Sequence, residues 1–444
     1  MAGALVNALG AATATAEAFS DRNTLRHMLR FEAALAKAAA AAGLVPKKHA
    51  ATIAAACDAA LYDPAPFAEA ARRTATLTVP VVKALTAEVA KRDKEAADYV
   101  HWGATSQDVL DTAMVLQLGE ALPPLLKDIG AIVEAFAALA KEHRQTPMLG
   151  RTLLQPATPL ALGQKIAGWA SDLDRARRRL AETFHETQIV QFGGASGSLS
   201  ALGDKAEAVM AVLAKELQLA LPPAPWFTQR VRVAALAQDM ALVCGALGKA
   251  ARDISLMMQI EVGEASEPSG PGRGGSSTMP HKRNPVGAAL ALAAANRAPH
   301  LAATIVSGMV QEHERALGGW QSEWPTLAAL CETLGSAVEA MREVAPGLAI
   351  DADAIQANMD ATEAAVFAER ATFLLAEKMG KQKAAAIVEK ALAKEGSFIA
   401  NLGQLEAELA EAESLLGYSP KFVDRLLESL RPSKKPKAAG LDET

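Results

Sequence analysis

The sequence predicts an all-α protein built around a bundle of long helices, with a smaller helical region on either side. Three observations lead there. Aromatic residues make up only 4% of the 444 positions, and alanine comes in runs such as Ala33–Ala34 and Ala38–Ala42. Alanine is the best helix former, and the β-branched and aromatic runs that mark strands are scarce. Apolar residues recur at helical spacing over stretches much longer than an ordinary helix, with few glycines inside them.

Ser20 and Asp21 open the first clear helix, Leu25, Met28, Leu29 and Leu35 supply its apolar face, and Gly43 and Pro46 close it. Short helices fill the chain to about residue 98. After the segment His101–Asp108 the periodicity lengthens. One stretch runs from about Gln107 to His143 with an interruption at Pro123–Pro124, and a second from about Pro159 to Gln188. A third, Gln229–Glu261, carries Leu236, Met240, Val243, Leu247, Ile254 and Met258 on one face. A fourth opens at Pro285 and reaches about Arg315, and a fifth starts near Thr326. Beyond Ile350 the helices shorten, with breaks at Gly380, Gly396 and Gly403. The expected division is therefore 1–105, 106–345 and 346–444. By themselves the stripes are core or subunit interface, and helices of this length need partners.

Composition excludes several classes. A net charge of −5 leaves no basic footprint for nucleic acid. Cys57, Cys244 and Cys331 are far apart and lie in helical patterns, so they read as buried small hydrophobes in a reducing compartment. The first cation is Arg22, which leaves no basic start for a secretory signal. No uninterrupted apolar run of about 18 residues appears, so no membrane span is expected. A cytoplasmic enzyme is the expectation. The tail from Arg431 is polar and charged and is expected to fray.

Three segments stand out. The first is GGSSTMPHKRNP at 274–285. Glycines at 270, 272, 274 and 275 free the backbone ahead of it, and Asn284 with Pro285 reads as a helix start. Lys282 and Asn284 would then lie at a positive helix end suited to a carboxylate, with Ser276 on the loop side where closure could bring it onto a substrate. The second is HWGATSQDVLDTA at 101–113. Thr105 and Ser106 precede a helix, where hydroxyls and N–H groups can bind an anion. On the pattern alone plain N-capping is the simpler assignment, with Asp108 a further cap candidate, and a lone His101 is more often structural. The third is GRTLLQPATP at 150–159. For a metal, adjacent Glu312, His313 and Glu314 cannot share one helix face, and no H-E-x-x-H pair exists. No metal and no cofactor are expected.

Together these segments resemble the fumarase/aspartase superfamily, whose signature is G-S-S-x-M-P-x-K-x-N. The resemblance covers the whole chain and implies three helical domains and a homotetramer in which three chains build each active site. It implies Ser276 as the proton-transfer residue and Lys282 as the group that stabilises a carbanion. Substrate contacts fall to His101, Thr105, Ser106, Arg151, Thr152, Gln155, Gln229, Ser277, Asn284 and Arg315. FGGASGSLSAL at 192–202 and WFTQRVR at 226–232 also match family segments near the site, although Val231 replaces an expected aspartate and leaves Arg230 and Arg232 open. One change is large. The lyases carry a histidine where this chain has Leu153, and pair it with a glutamate where this chain has Ala289. Such a pair assists a poor leaving group by general acid catalysis. A departing carboxylate, of pKa near 4, gains little from it.

The resemblance narrows to the cycloisomerase branch, in which a substrate carboxylate adds to an activated double bond. The expected reaction is closure of a small tricarboxylate, 3-carboxy-cis,cis-muconate, to its lactone. The alternatives are adenylosuccinate lyase or a related succinyl-adduct lyase, and a non-catalytic structural relative. In adenylosuccinate lyases the positions of Trp320 and Trp324 hold a nucleotide phosphate, for which an indole is no substitute. Carboxylates are expected on Arg151, Arg273 or Arg315, each of which could equally be a surface or interhelix charge.

Overall fold

The computed structural model describes residue 10 and residues 13–270, 273–275, 279, 282–403 and 416–430. Ser276, Ser277 and the tail from Arg431 lie outside the described residues.

The predicted helices are present, although the fourth long one stops at Ser307 rather than about Arg315 and the fifth starts at Gly319 rather than near Thr326. Helix α1 (Asp21–Ala41) starts where Ser20 accepts a hydrogen bond from the backbone N–H of Asn23 at 3.3 Å. It ends before Gly43, which has a φ of 77°. Short helices follow at Lys47–Ala56, Ala65–Thr74, Thr78–Arg92 and Lys94–Ala97. The long helices are α2 (Ser106–Glu142), α3 (Leu162–Thr187), α4 (Val231–Met257), α5 (Val286–Ser307) and α6 (Gly319–Gly347). Among the shorter helices of the C-terminal region are Ala352–Asp360, Ala368–Met379, Lys381–Leu392 and Ser419–Ser429. Gly380 makes the expected break, at a φ of 87° that an L side chain rarely adopts.

Two further expectations need correction. Helix α2 runs through Pro123 and Pro124 without a break. Both prolines are exposed, so water can serve the carbonyls they leave without donors, while Leu122 and Leu125 on either side are buried and hold the helix to the core. The second correction is the start of α3. The stretch from Pro159 is the end of a strand: β1 (Pro147–Thr152) pairs antiparallel with β2 (Gln155–Ala161). A smaller pair, β3 (Ala265–Ser266) with β4 (Ala349–Ile350), lies farther along the chain.

By packing, the chain forms two compact units. One comprises 1–127, 177–245 and 293–337, the other 128–176, 246–292 and 338–444. In the first, α1 packs against Lys47–Ala56 and Ala206–Leu217. Its core gathers Met28, Leu29, Phe31, Leu35, Phe192 and Trp320, with the Phe31 and Phe192 rings 6.4 Å apart. A fully buried side chain such as Phe31 contributes about 1.5–3 kcal/mol. In the second, Trp169 meets Phe136 edge-on at 5.5 Å and donates to Asp253 at 2.8 Å. A satellite core of Ala371, Leu375, Ala384, Val388 and Phe398 holds its C-terminal helices.

Helix α4 is long and apolar enough to cross a membrane by length and composition, yet 61% of its most apolar window is buried within the protein. Cys244 and Cys331 are fully buried and free, and burial pushes both thiols up to about 12. Cys57 is half-buried and free.

Candidate active site

In the first unit the site grows from the N-terminus of α2. Thr105 stands just before the helix, and its backbone N–H donates to the Asp108 carboxylate at 3.0 Å, as in a capping box. The other donors to Asp108 are Gly193 N–H at 2.9 Å, Gly194 N–H at 3.0 Å and Gln191 at 3.1 Å. Burial pushes the Asp108 carboxyl up to about 7, against the pull of those four donors. Asp108 therefore does the capping and ties down the 193–194 turn, which leaves the Thr105 hydroxyl available. It accepts from Arg315 at 2.7 Å. Arg315 also donates to the Ala195 carbonyl at 2.9 Å and lies 5.1 Å over the Phe227 ring, while its Nε is buried with no partner. A buried, unpaired guanidinium N–H suits a carboxylate ligand, and Gln229 is exposed. Ser106 is half-buried, and its carbonyl accepts from Thr78 at 3.0 Å.

His101 adopts a left-handed φ of 61°. Its Nδ1 lies 2.6 Å from a carboxylate oxygen of Glu32, which is 1% exposed. Burial is the largest single influence on the imidazole and lowers its pKa. The charge and hydrogen bond of Glu32, with the charge of Asp108, outweigh it, so the net shift is upward.

Beneath this corner lies a fully buried ionic cluster. Arg230, 1% exposed, donates to Asp111 at 2.7 Å and to Glu323. Asp111 also accepts the indole N–H of Trp320 at 2.9 Å and the amide of Gln107 at 3.1 Å. Arg230 is thus an interior tie between α2, α4 and α6, while Val231 is 66% exposed. Trp320 is likewise a core residue, 2% exposed and edge-on to Trp324 at 4.5 Å. The indole N–H of Trp324 is buried without a partner.

In the second unit the hairpin β1–β2 carries Arg151, Thr152 and Gln155. Arg151 makes a bidentate pair with Glu264, at 2.6 and 2.9 Å, and Glu264 also accepts from Asn358 at 2.9 Å. Thr152 and Gln155 face each other across the tip and are exposed. The two turn residues, Leu153 and Leu154, have φ of 51° and 65°, the geometry of a type I′ turn that normally takes Asn-Gly. They are 96% and 74% exposed.

The signature loop is closed at a neck. Asn284 N–H donates to the Gly274 carbonyl at 2.9 Å, and a Cβ on Gly274, whose φ is 68°, would stand 3.0 Å from the Asn284 carbonyl oxygen. Helix α5 begins at Val286, so Pro285 takes the capping position and Asn284 precedes it. The expectation of a vacant positive helix end needs correction. The N–H groups of Gly287 and Ala288 already donate to Glu267, at 2.9 and 2.7 Å. Arg273 stands beside the same carboxylate at 3.6 Å and pairs with Glu343, so it is a loop anchor. Lys282 is exposed and Asn284 half-buried. Among the described residues no group of three His, Cys, Asp or Glu side chains converges as metal ligands.

Glu32 and Glu267 were not picked out by motif, and Arg230 was noted in its segment without a role. A glutamate in an alanine-rich helix gives no signal of what it will face, and neither does a glutamate in a glycine-rich loop. The Thr105-x-x-Asp108 capping pattern was legible.

A long-helix, all-α chain with these segments is an enzyme of the fumarase/aspartase type. The chain belongs to the lyase family, whose sequence profile matches residues 8–299. It is 50% identical over 428 residues to a 3-carboxy-cis,cis-muconate cycloisomerase of Bradyrhizobium diazoefficiens, covering 93% of this chain and 95% of the relative. It is 47% identical to the enzyme of that name from Pseudomonas putida, over 93% of this chain and 100% of the relative. The crystal structure of 3-carboxy-cis,cis-muconate lactonizing enzyme from Pseudomonas putida superposes with a TM-score of 0.91 at 43% identity, covering 96% of this chain and 99% of that one.

Proposed function

We propose that this enzyme closes 3-carboxy-cis,cis-muconate to 4-carboxymuconolactone, in the catabolism of protocatechuate-type aromatics. The observation that carries the assignment is the 50% identity, over nearly the full length, to a cycloisomerase. A substrate carboxylate adds to a double bond activated by a neighbouring carboxylate. Electrons move into that neighbour as an enediolate, and Ser276 delivers the proton that quenches it. Lys282 and Asn284 stabilise the developing charge, the largest electrostatic demand of the reaction. Arg315, Thr105, Ser106, His101 and Gln229, all in the first unit, bind substrate carboxylates, and Thr152 and Gln155 contribute from the hairpin, with Ser277 a second loop hydroxyl. Arg151 belongs with that hairpin, although its guanidinium is held by Glu264. Run in D2O, the reaction should give lactone with one deuterium on the carbon next to the carboxylate. Lactone without deuterium would rule out carbanion protonation.

The division into 1–105, 106–345 and 346–444 goes with a cytoplasmic homotetramer whose sites are shared among three chains. The exposed side chains of Thr152 and Gln155 make no hydrogen bond among the described residues, and Leu153, Leu154, Ile260, Val310 and Leu317 present apolar side chains to solvent, as a subunit contact would require.

Two outcomes follow from this chemistry. Chelation with EDTA should leave turnover unchanged, because Lys282 and loop N–H groups stabilise the carbanion; loss restored by a divalent ion would overturn that. Restoring the lyase pair with Leu153→His and Ala289→Glu should lower cycloisomerase turnover and create no adenylosuccinate cleavage. Both side chains are exposed in the single chain, so the fold should tolerate the change. In the assembled site the new polar groups bring a desolvation cost of about 1–3 kcal/mol, and a carboxylate nucleophile gains nothing from a base. A gain in cycloisomerase turnover would show that acid–base assistance limits the reaction.

A further inference from the structure

We infer that Glu32 and His101 form a dyad in which a buried carboxylate fixes the imidazolium so that its Nε2–H is offered to a carboxylate of the substrate. Glu32 is the positioning residue and His101 the binding residue. This rests on the cycloisomerase assignment above only for the identity of the ligand.

The geometry is specific. Nδ1 is engaged by Glu32 at 2.6 Å, a short contact of the charge-assisted kind. The other Glu32 oxygen is buried and has no hydrogen-bond partner, so its negative charge is satisfied chiefly by the imidazole. Such a carboxylate, 1% exposed, is costly to keep unless it faces a cation. The left-handed backbone at His101 and its neighbour Gly103, at φ of 61° and 74°, turns the chain just ahead of α2. The Cβ that Gly103 lacks would stand 2.8 Å from a Leu202 side-chain carbon, so this turn is pressed against the core. His101 therefore has little room to reorient. Its Nε2 makes no hydrogen bond among the described residues, and the side chain keeps 19% of its surface exposed. The ring is four residues ahead of Thr105, whose hydroxyl is held by Arg315 at 2.7 Å. A fixed cation and a guanidinium flanking one helix start suit a substrate with several carboxylates.

The charged groups acting on the ring are Glu32 from α1 and Asp108 from α2, and both favour the imidazolium. Glu32 in turn acts on Cys57, whose thiol burial and that carboxylate push up, so it adds no competing charge. The sign follows. With Glu32 present the ring holds its proton to higher pH than an ordinary imidazole. Without its charge the ring loses its proton at lower pH, and substrate affinity falls there too.

Glu32→Gln is the decisive variant in the full-length enzyme, because an amide oxygen can still accept from Nδ1 while the charge is gone. The His101 Cε1–H resonance of the unliganded enzyme should titrate at lower pH than in the wild type. With 3-carboxymuconate, KM should rise about tenfold or more at pH 8 while kcat changes little, and the KM–pH curve should move to lower pH by the same interval. Glu32→Asp should fall between the two. In a His101→Gln background, Glu32→Gln should have no further effect on KM. An unchanged His101 titration, or an effect of Glu32→Gln that persists without His101, would overturn the dyad. If 3-carboxymuconate is not turned over at all, the substrate assignment fails, and the His101 titration still decides the dyad by itself.

Discussion

Ser276→Ala should lower turnover of 3-carboxymuconate by about 10²–10⁴-fold, the usual worth of a positioned proton-transfer group. The effect should appear in kcat, because the hydroxyl acts when the carbanion forms and contributes little to holding the ground state. Folding should be unaffected. The elements that anchor the loop lie outside Ser276: the Gly274–Asn284 neck, the Glu267 carboxylate on the first N–H groups of α5, and Arg273 between Glu267 and Glu343. The readout is steady-state kinetics beside a urea melt of the same preparation. Near-normal kcat with an intact melt would remove Ser276 from the mechanism.

Arg230→Met should be the most destabilising single change at this corner. It leaves Asp111 and Glu323 facing each other, both fully buried, with no cation between them. Removing one partner of such a cluster costs about 3–5 kcal/mol. The indole of Trp320 and the amide of Gln107 still donate to Asp111, which limits the loss but cannot cancel a charge. Adding Glu323→Gln should return about 1–3 kcal/mol by removing one of the two uncompensated anions. The urea midpoint should fall in the single variant and partly recover in the double. A single variant as stable as the wild type would mean the cluster holds α2, α4 and α6 less firmly than its geometry indicates.

These two residues mark what can be read from the chain. Ser276 is legible because its motif is dense: two serines, Met-Pro, a lysine and an asparagine at fixed spacing after glycines. Arg230 is not, because one arginine in a sequence looks the same whether it meets a substrate or two buried carboxylates from distant segments. The helices were legible from periodicity and from caps such as Ser20. The passage through Pro123–Pro124 was not, since tertiary packing of Leu122 and Leu125 overrides a local preference. The hairpin at 147–161 was also missed. Its turn uses Leu153 and Leu154 at positive φ, where the expected signal is asparagine or glycine. The Asn284–Pro285 start was recognised within one residue. Its anion is the chain's own Glu267, and no spacing rule reveals an acceptor that arrives from across a loop.

The most direct measurement is an ultraviolet absorbance assay of the purified enzyme on 3-carboxy-cis,cis-muconate and, in parallel, on adenylosuccinate. Loss of the conjugated diene with lactone as product, and no change in adenylosuccinate, is the predicted result. Cleavage of adenylosuccinate with the carboxymuconate left intact would contradict the assignment.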